Sequence, residues 1–295
     1  MEILSKYKNG NLITTLYSDG TRERFTMDDE FEPAFAENVD VQVSNRCDHG
    51  CPMCYANCTK DGEFGRLNSW KFLGTLHKGT EMALNMNFPL QPNFGEFLIY
   101  LRDNGIITNI TVNQDHFMQH EDLIKSLYEE GLIHGLGISL TNPTQEFIDK
   151  VKNYPNAVIH VINGIFTKEQ CEMLADNDLK VLVLGYKDIG RGVGYLSTDS
   201  FLIKCNQDWL YDTLPNLPEK FKVLSFDNLA LEQLNVRRIL TEEQWEEFYS
   251  GDDGTFTFFL NLVDGYFAKN SLSQVKYPIG DLSMDEMFNV IRKAG

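Results

Sequence analysis

The sequence predicts an α/β protein built on a parallel sheet, and two observations carry that prediction. Strand-like apolar runs begin near Val39, Glu81, Ile107, Gly135, Ala157 and Lys180, with helix-like stretches between them at 67–77, 93–104, 120–130, 144–154 and 167–176. Six strands alternating with helices are the pattern of right-handed βαβ units. The composition is that of an ordinary globular chain, 42% hydrophobic and 23% charged over 295 residues. A chain of this length can bury a full core without covalent staples, and this composition excludes a largely disordered or fibrous protein.

The elements follow in order. Residues 3–7, 12–17 and 21–25 are strand-like and are joined through Asn9-Gly10 and Asp19-Gly20, dipeptides that favour hairpins. A β-meander is expected over 1–36, ending in the acidic connector Asp28-Asp29-Glu30. Pro143 stands where a first-turn proline belongs, Thr167-Lys-Glu-Gln170 fits a capping box, and Gly105 and Gly131 follow helices as C-terminal caps do. After Gly190 the alternation breaks. Residues 208–214 and 228–234 look helical, and 223–226 form a short strand. Thr241-Glu-Glu-Gln244 is a second capping box, 255–263 and 266–269 make a hairpin about Asp264-Gly265, and Ser283 opens a last helix. The expected organisation is a meander (1–36), an alternating unit (37–195) and a C-terminal α/β extension capping the sheet (196–295).

The net charge of −17 argues against loose binding to phosphate backbones or anionic membranes. The first ten residues lack the apolar stretch of a signal peptide, and no apolar run approaches the ~18 residues of a membrane span. The expectation is a soluble, cytoplasmic protein.

Polar residues gather at the ends of the central strands. Asn85 and Asn87 share one face, as do Asn109, Thr111 and Asn113, and then Gly137, Ser139 and Thr141; the face of Ile159 and Val161 ends in Asn163. Strand side chains alternate, so each set points to one side. The C-terminal ends of parallel strands are where α/β folds build their sites.

Of six cysteines, Cys47, Cys51, Cys54 and Cys58 crowd into one short segment, while Cys171 and Cys205 stand alone and read as packing residues. Disulfide frameworks spread their cysteines, whereas a tight group in a cytosolic chain marks a metal or redox site. Three thiolates at C-x3-C-x2-C (Cys47, Cys51, Cys54), on a loop after the first strand of the alternation, can converge on three irons of a cubane cluster. The fourth iron is then left without a protein ligand. Cys58 extends the set to C-x3-C-x2-C-x3-C, which could instead close a four-cysteine site of the structural zinc or electron-transfer kind. His49 reads as a loop residue.

This spacing after the first strand of a βα series resembles the radical S-adenosylmethionine (SAM) superfamily, over about residues 37–195. The resemblance implies an open, partial (β/α)6 barrel and a 4Fe–4S cluster on Cys47, Cys51 and Cys54 whose free iron chelates SAM. It also implies an oxidoreductase-type chemistry. An electron donor such as flavodoxin or ferredoxin supplies one electron, SAM is cleaved to methionine and a 5′-deoxyadenosyl radical, and the radical takes hydrogen from a substrate. The resemblance further implies SAM contacts at Tyr55 beside the third cysteine, at Asn85 and Asn87, and at Asn113 in Thr111-Val-Asn-Gln114. Ser139 would lie near the SAM carboxylate, Asn163 near the ribose, and the backbone around Tyr186 in Leu184-Gly-Tyr-Lys187 against the adenine.

Two departures stand out: Met53 occupies the place of an aromatic before the third cysteine, and Met86-Asn87-Phe88 that of a Gly-Gly-Glu stretch. The wording around the cysteines, with Gly185-Tyr-Lys187 and Gly190-Arg-Gly192, resembles a short subgroup from low-GC bacteria and their phages. Gly190-Arg-Gly-Val-Gly194 fails the G-x-G-x-x-G spacing and is expected to be a turn, with Arg191 free to meet an anion. The substrate, whether small molecule, peptide or nucleoside, is not legible.

Overall fold

Three antiparallel strands come first: β1 (Ile3–Asn9), β2 (Leu12–Tyr17) and β3 (Arg22–Thr26). The structure, a computed structural model, describes residues 2–85, 91–249 and 251–294. The remaining strands form one ten-stranded sheet. Its centre is the expected series β4 (Asn38–Gln42), β5 (Glu81–Asn85), β6 (Ile107–Asn113), β7 (Gly135–Ser139), β8 (Ala157–Ile162) and β9 (Lys180–Leu184), each parallel to the next.

Residues 196–295 do not simply cap this sheet. Their strands lengthen it at both edges. β10 (Val223–Phe226) pairs parallel with β9, and β11 (Thr257–Asn261) pairs parallel with β4. Outside β11 lie β12 (Tyr266–Ala268) and β13 (Tyr277–Pro278), both antiparallel. The hydrogen-bond ladder stays open, running from β10 to β13.

Alternation along the strands separates two faces. Val39, Val41, Met82, Leu84, Ile110, Val112, Ile138, Ile159, Val181 and Val183 are buried on one of them. They meet apolar residues of α1 (Phe94–Asp103), α2 (Gln114–Gln119), α3 (Glu121–Glu129), α4 (Gln145–Val151) and α5 (Lys168–Leu174) in a single core. Burying each such side chain stabilises the fold by about 1.5–3 kcal/mol before chain entropy is subtracted. The other face carries Asp40, Asn85, Asn109, Thr111, Asn113, Ser139 and His160.

Several local expectations meet tertiary corrections. Residues 67–77 form only a 3-10 turn at Lys71–Thr75, because the Thr75 hydroxyl is committed to the Phe72 carbonyl and to the Met284 N–H of α10 (Met284–Ala294). Pro143 lies just outside α4, whose N-cap is Thr144, its hydroxyl accepting from the Phe147 N–H. α2 was not anticipated; the Asn113 side chain caps it by accepting from the Asp115 N–H. The 190–194 segment is no mere turn, since α6 (Arg191–Thr198) begins there. α7 (Ser200–Thr213) starts well before residue 208. α8 (Asn228–Gln233) and α9 (Glu242–Phe248) match expectation, and both Thr167 and Thr241 make capping boxes.

The meander packs against the N-terminal ends of the central strands. Arg22 pairs with Glu81 at the start of β5, and Arg22 and Arg24 both reach the fully buried Glu37 just before β4. Asn156 donates to the Ser18 carbonyl and Lys180 to that of Asp19. One end of the polar face is therefore covered, and the C-terminal strand ends are left as its mouth. Among the described residues no helix is long and apolar enough to cross a membrane.

Candidate active site

The cysteine loop leaves β4 and is tied off by its own backbone. The Cys47 N–H donates to the Thr59 carbonyl and the Thr59 N–H to that of Asn45, while the Asn45 N–H reaches Glu63. Within it, turns are held by Cys54 N–H to Cys51 O at 3.2 Å and Asn57 N–H to Cys54 O at 3.3 Å. All four cysteines of the loop are free and half-buried.

Two elements anchor the loop from outside. After β6, Asp115 and His116 of α2 pair with His49 (3.3 Å) and Asp48 (2.9 Å); the His116 contact holds the Asp48 carboxyl below the usual range. After β9, Arg191 donates from Nε to the Cys51 carbonyl (3.0 Å) and from Nη1 to that of Cys58 (2.8 Å), and its N–H reaches the Cys54 carbonyl (3.1 Å). Arg191 thus meets carbonyls, not a free anion.

The thiols differ. Burial pushes Cys51 up to about 11 and raises Cys47. A hydrogen bond from the Cys58 thiol pulls Cys54 down to about 5 and holds Cys58 protonated, with the Arg191 charge favouring thiolate at both. As they stand, no three or more Cys, His, Asp or Glu among the described residues are arranged to hold a metal ion. The donor chemistry nevertheless fits an iron–sulfur cluster: unbridged soft thiols, closely spaced on one anchored loop.

The polar face leads up to this loop. The amide of Asn85 donates to the Tyr55 hydroxyl (3.3 Å), and the Lys187 ammonium lies 4.1 Å from the Tyr55 ring centre while donating to Ser271. In the ladder, Asn113, Ser139 and His160 are successive cross-strand neighbours at the mouth. Asn85, Asn113 and Ser139 therefore stand on one face at the C-terminal end of the sheet, with Tyr55 against Asn85. Asn87 lies outside the described residues.

Asn163 and Tyr186 do not join them. Asn163 continues the buried face of Ile159 and Val161, is 1% exposed, and donates to Gln233 Oε1. The Tyr186 N–H and carbonyl are both engaged by the Gln233 side chain, and its hydroxyl donates to the Gly192 carbonyl. That backbone is already satisfied, so it offers no free hydrogen bond to a ligand base.

Deeper on the same face stands Asp40, a residue that the sequence reading missed. It is exposed in mid-strand between Val39 and Val41, which are 0% and 1% exposed. It faces the space over the polar side of the sheet, and desolvation pushes its carboxyl up to about 6. The Lys187 charge opposes the shift, while Asp253 and Asp227 add to it. In a flat sheet β4 and β9 would stand about 24 Å apart, yet the Lys187 ammonium, just beyond β9, lies 4.1 Å from the ring of Tyr55 on the loop that leaves β4, so the sheet curls. At the seam Asp253 accepts from Asn228 (2.7 Å) and Asn270 (2.6 Å). His160, also facing this space, is pushed down to about 4 by desolvation.

This architecture is similar to that of SuiB. The crystal structure of Streptococcus suis SuiB bound to S-adenosylmethionine superposes with a TM-score of 0.52 over 87% of this chain, at 16% sequence identity. The chain spans 64% of the length of SuiB, and a likeness at this identity speaks to fold alone. No protein-family model matches the chain, and no curated protein matches it.

Signals for the missed residues were partly present. An aspartate between two valines in a strand of the alternation points away from the core by parity alone, which marks Asp40. Gln233 and Lys187 had no comparable local signal, because their partners come from other elements.

Proposed function

We propose that this protein is a radical SAM enzyme. Cys47, Cys51 and Cys54 would hold a 4Fe–4S cluster with one open iron, and SAM would lie across the mouth near Tyr55, Asn85, Asn113 and Ser139. When bound and reduced, these cofactors supply a 5′-deoxyadenosyl radical that abstracts hydrogen from the substrate. The chain's own residues do the rest. Arg191 and α2 hold the loop, the Asn113 cap leaves its Nδ2 group for the ligand, and Ser139 offers a hydroxyl to the SAM carboxylate. The meander closes the far end, which limits water at the reacting atoms. The observation that carries the reading is the three-cysteine loop, anchored from the ends of β6 and β9, at the C-terminal mouth of six consecutive parallel strands. The partial (β/α)6 barrel and the membership of a low-GC bacterial and phage subgroup belong to the same proposal.

The net charge of −17 favours a neutral or cationic substrate. The test is anaerobic cluster reconstitution followed by a reductant-dependent assay for 5′-deoxyadenosine. Production above a Cys51→Ala control supports the enzyme; none, in protein with a full cluster and bound SAM, refutes it.

One observation favours a second reading. The Cys58 thiol lies close enough to lower the Cys54 thiol's pKa, which makes Cys58 a candidate fourth ligand of a closed, non-catalytic site. Cys58→Ala distinguishes the two: iron retained supports the open cluster, and iron lost supports the closed one.

A further inference from the structure

Arg191 makes three hydrogen bonds to one loop across a separation of up to 140 residues. Two of the carbonyls it meets already close turns inside the loop. Cys51 O accepts from Cys54 N–H at 3.2 Å and from Arg191 Nε at 3.0 Å; Cys54 O accepts from Asn57 N–H at 3.3 Å and from Arg191 N–H at 3.1 Å. In both cases the Arg191 bond is the shorter. The third carbonyl, Cys58 O, has the shortest contact of all, at 2.8 Å. The base of the loop is closed by short backbone bonds, but the two turns between Cys51 and Asn57 are held by long ones of 3.2 and 3.3 Å, so the shape of this stretch depends on what binds its carbonyls from outside.

The glycines around Arg191 are shaped for this approach. Gly190 has φ +59°, and a Cβ there would stand 2.3 Å from the Tyr55 carbonyl oxygen and 3.0 Å from that of Cys54; a Cβ on Gly192 would stand 3.7 Å from the Met53 carbonyl oxygen of the same loop. The backbone at the start of α6 therefore lies directly against the cysteine loop. A planar guanidinium then spans two carbonyls that a lysine, with its single ammonium, could not bridge in the same geometry.

We propose that Arg191 is a positioning residue for the cluster loop. It fixes the carbonyls of Cys51, Cys54 and Cys58 so that the loop is pre-shaped before metal arrives, and it leaves a permanent positive charge beside the thiolates once the cluster is bound. The first half of this inference concerns the metal-free chain; the second rests on the radical SAM reading.

The experiment compares wild type, Arg191→Gln and Arg191→Lys in the full-length chain. On metal-free protein, amide exchange over 47–59 and iodoacetamide labelling of the loop cysteines report loop opening. Losing charge-assisted hydrogen bonds should speed both by roughly 10- to 100-fold in Arg191→Gln and by less in Arg191→Lys, with amide exchange in β5 to β8 unchanged. After anaerobic reconstitution, Arg191→Gln should hold less iron, and its cluster should be harder to reduce than that of Arg191→Lys, which keeps the charge. Unchanged exchange and labelling in both variants overturn the proposal whatever the iron content. A loosened loop with wild-type iron uptake and potential overturns the link to the cluster. Should wild type itself take up no iron–sulfur cluster, the radical SAM reading fails, while the exchange data still decide the clamp on the metal-free loop.

Discussion

Ser139 and Asn163 stand at or just beyond the C-terminal ends of neighbouring strands, but they belong to opposite faces of the sheet. Ser139 pairs across the ladder with His160 on the open face, whereas Asn163 follows Ile159 and Val161 into the core and binds Gln233 at 3.0 Å. Ser139→Ala is therefore expected to weaken SAM binding by about 10- to 150-fold, the equivalent of one hydrogen bond to a charged group. Asn163→Ala should leave SAM affinity unchanged and instead lower stability by about 0.5–1.5 kcal/mol, through the one hydrogen bond lost to Gln233 Oε1, which still accepts from the Tyr186 N–H. Equilibrium binding to reconstituted protein and urea unfolding measure the two effects. Equal loss of affinity in both variants would contradict the face assignment.

Asp40 should cost stability at neutral pH. Its folded carboxyl is raised to about 6 from 3.8, so the fold favours the protonated form. That support is complete below about pH 4 and is lost as pH rises through 6. Because Asp40 is exposed on the polar face, solvent screening cuts the effect to about 1 kcal/mol. Asp40→Asn is expected to be more stable than wild type by about that much at pH 8, with the advantage gone at pH 4. Denaturant midpoints at both pH values test it, and a variant less stable than wild type at pH 8 contradicts it.

Glu37 holds the meander in place. Its carboxylate is 0% exposed and meets both Arg22 and Arg24, with Arg24 Nε at 2.7 Å. Glu37→Gln removes the carboxylate that Arg24 Nε meets and one of the two that Arg22 meets, Glu81 being the other, and removing one partner of a buried ion pair costs about 3–5 kcal/mol. The expected readout is a large drop in unfolding free energy, with faster amide exchange in β1 to β3. A change below about 0.5 kcal/mol would count against this docking.

Gly190→Ala tests the close approach of α6 to the cysteine loop. A positive φ disfavours any side chain by about 1–3 kcal/mol, and the added methyl would meet a backbone oxygen that cannot swing aside. Lower thermal stability is expected, together with faster iodoacetamide labelling of Cys51 and Cys54. Labelling at the wild-type rate would mean that the loop keeps its shape without this contact.

Much of the framework was legible locally. The six-strand alternation, the meander turns and the capping boxes at Thr167 and Thr241 depend on residues a few positions apart, and each was formed. The cysteine spacing was legible for the same reason, because the ligand candidates lie on one short loop. Residues 67–77 were misread as a helix: the helical pattern there competes with the tertiary bond from Met284 to Thr75, which lies 209 residues away and leaves no local trace.

The sequence by itself determined the order of the central strands and the clustering of four thiols on the loop after β4. Tertiary structure decided which face of each strand opens to the site. It turned Asn163 into the core, satisfied the Tyr186 backbone through Gln233, brought Asp40 towards Lys187, and put Arg191 on the cysteine loop. The division has one physical cause. Turns, caps and periodicity are short-range consequences of backbone geometry, while these contacts exist only after the sheet has curled and brought together elements far apart in the chain.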